Sequence, residues 1–153
     1  MKVRIELDEE RTEDEVVIYC QSLTDEIKLI QKAVSSVTSS KQNIILYKEE
    51  TEYYIALEDI LFFETEGSVL NAHTRDNVYQ TRYRLYELEG MLSGSFVRVS
   101  KSAIVNVREI YSLGKNALST TSVAAFAGSH KQVFVSRHYY KQLKEKLLDW
   151  RKR

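Results

Sequence analysis

Ser100, Lys101 and Ser102 form a short polar segment directly after an alternating apolar run. Hydroxyl and ammonium groups can donate hydrogen bonds to phosphate oxygens and to the edges of bases. The chemistry that this segment favours is therefore contact with a nucleic acid. Taken alone, the segment is explained more simply as an exposed turn.

A second polar segment, Ser136, Arg137 and His138, is more informative. If Ser136 caps the last helix, the two following side chains occupy its first turn, where the positive end of the helix dipole disfavours a cation by about 0.3–1 kcal/mol. An anion at this position would reverse the balance, because backbone N–H groups, dipole and side chains would converge on it. The alternative is a salt bridge from Arg137 to the acidic part of the chain.

The charge is distributed unevenly along a chain that is neutral overall. Residues 1–97 carry 10 Lys and Arg against 19 Asp and Glu, a balance of −9, whereas residues 98–153 carry 12 against 3, a balance of +9. Such a division is expected when one surface faces a polyanion and the rest of the protein does not. The basic excess therefore predicts a polyanionic partner.

Common catalytic and metal-binding signatures are absent from the sequence. It contains no glycine-rich phosphate loop, Gly-x-Ser-x-Gly, His-Glu-x-x-His or Cys-x-x-Cys. The three histidines, His73, His130 and His138, lack the paired spacing of metal ligands, and Cys20 is expected to be a buried structural thiol. We therefore predict no enzyme, no bound metal, no cofactor and no small-molecule substrate.

Glu64 and Glu66 lie two residues apart near the end of a predicted strand. Glu66 is expected on a solvated rim, and Glu64 is expected to orient the adjacent loop. A small enzyme that uses Glu64, His73 or His138 ranks last among the functional hypotheses, because no base, nucleophile and oxyanion donor can be assembled from the spacing.

The general features of the chain predict one cytoplasmic domain with a short appendage. The 153 residues are 43% hydrophobic, enough for a real core, and no apolar stretch approaches the 18 residues of a spanning helix. No signal peptide is recognisable at the N-terminus, and the lone cysteine fits a reducing compartment.

Residues 1–41 are predicted to form a small β-β-α appendage. Apolar and polar residues alternate at 3–7, a second apolar run covers 16–19, and a helical pattern follows Ser22, which resembles a capping residue. A Ser- and Thr-rich stretch at 35–41 is expected to end the helix and to mark the boundary. This appendage is a candidate surface for a partner or for dimerisation.

Residues 42–153 are predicted to form a mainly β domain with two helices. A helix is predicted at 82–92 and a second from Ser136 onward, with Leu143 and Trp150 on its apolar face. Strand-like composition recurs in the runs 43–47, 52–57, 60–64, 69–74, 78–81, 96–100, 104–111, 117–127 and 131–135.

The stretch from Phe96 to Asn106, the later stretch from Val133 to Arg137, and residues 59–68 together resemble the LytTR family of bacterial DNA-binding domains. The resemblance covers about residues 43–149, with the motifs in the family's order. It implies an elongated fold of antiparallel strands with few helices. It also implies that loops, rather than a recognition helix, enter successive major grooves of the DNA.

The resemblance implies specific contact residues. By position, the contacting loops carry Ser68, Lys101 and Arg137, and the Arg137 guanidinium could bind a guanine edge with two hydrogen bonds, worth about 1–3 kcal/mol of discrimination. Asn106 is interpreted as a buried hydrogen-bonding residue that shapes a turn. By sign and position, phosphate contacts are expected from Ser102, Lys131, His138 and Lys141.

The leading hypothesis is a sequence-specific, double-stranded-DNA-binding transcriptional regulator that binds repeated half-sites as a homodimer. Only about 42 residues precede the resemblance, too few for a receiver domain, so the chain looks like the stand-alone members of the family. The likeness also implies a small membrane protein as regulatory partner. The alternative is a protein-interaction or ligand-sensing module without specific DNA binding.

Overall fold

The computed structural model describes residues 1–11, 15–38, 42–92, 94–115 and 121–151. The chain divides into two compact units, Met1–Ser40 and Lys41–Arg153. No helix in these described ranges combines the length and apolar character needed to cross a bilayer.

The N-terminal unit contains one helix, α1 (Asp25–Thr38). Its start is stabilised by Thr24, whose hydroxyl oxygen accepts a hydrogen bond from the backbone N–H of Ile27 at 3.3 Å. The predicted helix is thus confirmed, but Thr24 caps it instead of Ser22, because the helix begins at Asp25 and Thr24 directly precedes it. The helix also continues through part of the predicted boundary at 35–41, and residues 39–41 lie outside the described residues.

The prediction of two strands in this unit is wrong. Residues 1–11 and 15–24 contain no strand, and Val3, Ile5 and Leu7 are all more than four-fifths exposed. An alternating pattern forms a strand only when a partner satisfies its backbone and a core covers one face, and among residues 1–11 and 15–38 this segment has neither. The prediction that Cys20 is buried is also wrong, because Cys20 is exposed.

The C-terminal unit is built from two antiparallel sheets and two helices. The helices are α2 (Leu85–Met91) and α3 (Arg137–Arg151). The strands are β1 (Asn43–Lys48), β2 (Thr51–Ala56), β3 (Phe62–Glu66), β4 (Val69–His73), β5 (Val78–Thr81), β6 (Phe96–Arg98), β7 (Ala103–Asn106), β8 (Ile110–Lys115), β9 (Ser122–Phe126) and β10 (Gln132–Val135). The larger sheet has the strand order β2-β1-β5-β4-β3-β7-β6 and the smaller one the order β10-β9-β8.

The larger sheet has an apolar core on each of its faces. Phe62 belongs to the core shared with the smaller sheet and α3, whereas its neighbour Phe63 belongs to the core shared with α2. Both rings are buried, and full burial of such a side chain contributes about 1.5–3 kcal/mol. The continuous apolar run around β3 is therefore explained by burial on both faces of a central strand.

Asn106 ends β7 and sends the chain into the smaller sheet. Its side-chain nitrogen donates to the carbonyl of Ile60 at 3.0 Å, and its side-chain oxygen accepts from the N–H of Arg108 at 3.2 Å. The strand predicted at 104–111 is accordingly divided by a 3-10 turn, Val107–Glu109, into β7 and β8. The interpretation of Asn106 as a buried residue that shapes the turn is confirmed.

The other predicted strands and helices of this unit are present, most of them with shifted ends. The run 78–81 coincides with β5, and the mainly β class with a C-terminal helix is confirmed. Of the strand predicted at 117–127, β9 occupies Ser122–Phe126, and residues 117–120 lie outside the described residues.

Candidate nucleic-acid interface

The β3–β4 hairpin presents Ser68 at its tip. Glu66 pairs with Val69 across the hairpin, so Gly67 and Ser68 form a two-residue turn. Gly67 has a φ of 62°, in the left-handed region of backbone conformation that residues with a Cβ atom rarely adopt. The tight turn leaves Ser68 exposed to solvent.

The loop between β6 and β7 is held from inside by Arg98. Its guanidinium donates to the carbonyl oxygens of Ser100 at 2.6 Å and Lys101 at 2.5 Å, and to a carboxylate oxygen of Glu89 on α2 at 2.7 Å. The Arg98 side chain is only 16% exposed. It therefore fixes the backbone of the loop while the Lys101 side chain stays exposed.

Ser102 stabilises the same loop. Its N–H donates to the hydroxyl oxygen of Ser100 at 3.1 Å, and the two hydroxyl oxygens are 3.2 Å apart. Because Ser102 is half-buried, its hydroxyl is less accessible than the ammonium of Lys101.

Ser136 precedes α3 and connects it to this loop. Its N–H donates to the carbonyl of Val99 at 2.8 Å, and its carbonyl accepts from the N–H of Tyr140 at 3.0 Å. Its hydroxyl oxygen is buried and has no hydrogen-bond partner among the described residues. Ser136 thus occupies the capping position, but the predicted side-chain cap is wrong because the hydroxyl is packed inside the protein.

Two backbone hydrogen bonds bring the three loops together. The N–H of Thr65 donates to the carbonyl of Ser102 at 2.8 Å, and the Ser136–Val99 bond joins the start of α3 to the same loop. Along the chain, Lys101 lies two residues after Val99, and Arg137 lies one residue after Ser136. At 3.8 Å per residue, their Cα atoms are no more than about 17 Å apart. We call this surface the loop edge: residues 67–68, 100–102 and 136–141.

His138 and Lys141 extend the loop edge along α3. Both are exposed, and the His138 ring packs edge-on against Tyr139 with centroids 4.9 Å apart. Lys141 follows Arg137 by four residues, which places the two side chains on one helical face. Exposed Lys144 continues this face, so three cations lie in a row.

Lys131 lies away from the loop edge. The four residues of β10 separate it from Ser136, and its ammonium donates to the carbonyl of Asn77 at 2.7 Å. Burial lowers the pKa of the Lys131 ammonium. Of the predicted contact residues, it is therefore the one that the fold does not bring to the others.

A further titratable cluster lies between β3 and β4. Donor atoms of Glu64, Glu66 and His73 all lie within 4.8 Å of one another. Burial and the neighbouring Glu66 carboxylate raise the pKa of Glu64. Burial, with Lys131 adding to it, lowers the pKa of His73 to about 4. His138 is not part of this cluster, so the three residues of the enzyme hypothesis do not form one site.

The family model of the LytTr DNA-binding domain matches residues 50–148. The chain belongs to the LytTR family. The resemblance inferred from the motifs is thereby confirmed, and the matched segment contains β2 through most of α3, including every loop of the loop edge.

Similar proteins extend the LytTR assignment. Two proteins of Staphylococcus aureus, from strains bovine RF122 / ET3-1 and MSSA476, are each 28% identical over 148 residues, covering 96% of this chain and 98% of theirs. Both carry the name "Uncharacterized HTH-type transcriptional regulator". In the described part of this LytTR chain, strands separate the helices of the C-terminal unit, so they form no helix-turn-helix.

A solved structure supports the LytTR fold. The LytTr DNA-binding domain of a Bacillus cereus protein superposes with a TM-score of 0.63 at 22% identity, covering 71% of this chain and 98% of that one. The mainly β architecture expected from the motifs agrees with this match.

Sequence reasoning missed the role of Arg98 in this LytTR domain. It counted Arg98 as the first cation of the basic excess, whereas the guanidinium bonds to groups within the protein. Arg108 is likewise engaged, with its guanidinium 4.4 Å from the ring centre of Trp150. Charge counts do not distinguish such residues from exposed cations. The signal for Arg98 was its place in a strand directly before a polar loop.

Proposed function

We propose that this LytTR protein is a sequence-specific, double-stranded-DNA-binding transcriptional regulator whose loops read the major groove. The observation that carries the proposal is the convergence of three loops on the loop edge. The exposed ends of Lys101 and Arg137 are close enough to contact one duplex, whose major groove is about 12 Å wide.

Each residue of the loop edge has a proposed role set by its chemistry. Arg137 binds a guanine edge with two hydrogen bonds, and Lys101 donates to base or phosphate oxygens. Ser68 contacts the DNA from the hairpin tip, while Ser102, His138 and Lys141 contact phosphates. Lys131, distant from these residues along β10, reaches DNA only if the duplex bends toward it, and its proposed phosphate contact is the weakest.

The proposed complex contains two copies of the chain on repeated half-sites, with adjacent major grooves contacted by successive loops. Phosphate neutralisation by the basic residues would make the affinity fall steeply with salt. Some bending of the duplex would bring more of the basic surface onto the phosphates. A regulator of this kind acts in the cytoplasm, where the DNA is.

Selection from a random duplex library tests the proposal. The full chain is expected to enrich one motif in two copies at a fixed spacing, and the complex with an enriched duplex should contain two chains in a mass measurement. Binding that enriches no motif would contradict sequence-specific recognition. A motif bound by one chain would contradict only the proposed dimer.

For the N-terminal unit, we propose a protein-binding role, either in self-association or in binding a small membrane protein regulator. Its support is the apolar surface: Tyr19 is 93% exposed and Leu7 is 94% exposed. Purification with and without a co-expressed partner would test it, and a chain that stays monomeric and captures no membrane protein would contradict both versions.

A further inference from the structure

His73 is a buried histidine whose ring nitrogens find no hydrogen-bond partner in the described part of the chain. The residue is 9% exposed, and both Nδ1 and Nε2 are buried and unpartnered among the described residues. One face of the ring stacks on Phe62, with centroids 4.3 Å apart and planes inclined by 12°. Buried polar atoms are nearly always paired in native proteins, so an orphaned imidazole points to a missing partner.

Two carboxylates lie beside this imidazole. Glu64 and Glu66 are two apart on β3 and so share a face of the sheet, and the pairing of Phe62 with His73 puts the histidine on that face as well. A carboxylate oxygen of Glu66 lies 3.9 Å from Nε2 of His73. This distance is too long for a hydrogen bond, so the cluster is close together without being internally satisfied.

We propose that Glu64, Glu66 and His73 bind one divalent first-row transition-metal ion. One imidazole nitrogen and two carboxylate oxygens are a donor set that such ions accept, with water completing the coordination. A metal about 2.1 Å from each donor requires donor atoms about 3.0–3.4 Å apart. The observed 3.9 Å between Glu66 and His73 is within reach, because the Glu66 side chain is 61% exposed and can move.

The surrounding charges are compatible with a cation. The two carboxylates balance a divalent ion, and the amide nitrogen of Asn71 donates to the second oxygen of Glu66 at 2.9 Å, which orients it. The Lys131 ammonium contributes to lowering the pKa of His73, but it donates to the carbonyl of Asn77 at 2.7 Å, which holds it outside the cluster of donor atoms. The hydrogen bond from Asn71 to Glu66 is of the kind that typically orients a metal ligand from outside the coordination sphere.

Metal binding at this cluster would bridge β3 and β4 below the turn that carries Ser68. The ion would stiffen the hairpin that, under the proposed function, contributes one loop to DNA binding. Occupancy of the site would thereby raise the affinity for specific DNA. This consequence depends on the proposed function, whereas metal binding itself does not.

The test uses the full chain, stripped of metal with a chelator and titrated with Co²⁺ by calorimetry and visible absorption. Wild type is expected to bind one Co²⁺ per chain, and Glu66→Gln and His73→Gln are each expected to weaken binding at least ten-fold, in the range seen when a ligand or its support is lost. Matched controls are Glu50→Gln and His130→Gln, which remove an exposed carboxylate and an exposed imidazole elsewhere and should leave the affinity unchanged.

Absence of saturable binding, or equal affinity in wild type and both ligand variants, would overturn the site. A loss of Co²⁺ affinity in Glu66→Gln but not in His73→Gln would also overturn the site, since the unpartnered imidazole of His73 is its central proposed ligand. Because Glu66 is exposed, its variant keeps the test valid even if His73→Gln fails to fold. DNA binding of the metal-free chain, measured in chelator, tests the proposed function separately.

Discussion

Two ends of the C-terminal unit carry basic residues, but the cations of one end face solvent and those of the other end donate to carbonyl groups of the protein. At the loop edge, Lys101 and Arg137 are exposed, and the loops beneath them are fixed by hydrogen bonds. At the other end, Lys131 donates to the carbonyl of Asn77, and Arg75 donates to the carbonyl of Ala127 at 3.1 Å. We call this second surface the hairpin end: residues 75–77 and 128–131.

The difference shows that cations serve two purposes in this fold. At the hairpin end they join the smaller sheet to the β4–β5 hairpin, and Arg75 also forms an ion pair with Glu109. At the loop edge an internal cation, Arg98, stabilises the loop that presents an external one. Net charge therefore overstates the surface that can meet a polyanion, and hydrogen bonding identifies which residues remain.

Arg137→Ala should produce the largest effect on recognition. Loss of a bidentate contact to guanine is expected to cost about 1–3 kcal/mol on the selected duplex, or roughly five-fold to more than hundred-fold in affinity. Affinity for random DNA should change by much less. Titration of both duplexes at one salt concentration checks this, with Arg75→Ala at the hairpin end as the matched arginine control. Equal losses on the two duplexes would contradict base reading by Arg137.

Arg98→Gln should rank second, because it releases the loop without removing an exposed cation. Hydrogen bonds to a charged group contribute about 1.5–3 kcal/mol, so denaturant unfolding should show a loss of roughly that size. The affinity for the selected duplex should also fall, since Lys101 is no longer fixed. A variant with reduced stability but full DNA affinity would show that DNA binding does not depend on the loop geometry that Arg98 fixes.

The roles of Arg137 and Arg98 are not equally easy to predict from the sequence. Arg137 was predicted from its place at a helix start and from the family motif, because both signals are local. The role of Arg98 depends on contacts to Glu89 and to loop carbonyls, which follow from the fold. Likewise, Glu64 and His73 become neighbours only through the β3–β4 register, so linear spacing could not reveal their cluster.

The fold was predictable wherever the pattern was local and the element had a partner. Val78–Thr81 matches its predicted strand, whereas strand-like composition continues across Asn106 and only the family resemblance indicated the turn there. Residues 3–7 alternate as clearly as a real strand but pair with no strand in the described part of their unit. Tertiary pairing, rather than propensity, decides such cases.

A comparison of Lys141→Ala with Lys131→Ala tests the two ends directly, and the expected change in DNA affinity is smaller. Removal of one phosphate contact should weaken binding to all duplexes alike and reduce the salt slope by about 1. We expect this for Lys141, while Lys131→Ala should act mainly on stability. Titrations at several salt concentrations measure both, and a larger loss of the salt slope in Lys131→Ala would reverse the assignment.

Glu89→Gln should have the smallest effect. Its carboxylate accepts from Arg98 but is 52% exposed, and exposed ion pairs contribute about 0.2–1 kcal/mol. The free energy of unfolding should fall within that range, with DNA affinity nearly unchanged because Arg98 keeps its two carbonyl partners. An effect as large as that of Arg98→Gln would mean that α2, rather than the loop carbonyls, fixes this arginine.

The most direct measurement is amide chemical-shift mapping of the full chain as the selected duplex is added. We expect the largest changes at the loop edge, residues 67–68, 100–102 and 136–141, and small changes at the hairpin end, residues 75–77 and 128–131. Large shifts at the hairpin end with an unperturbed loop edge would contradict DNA binding by the loop edge.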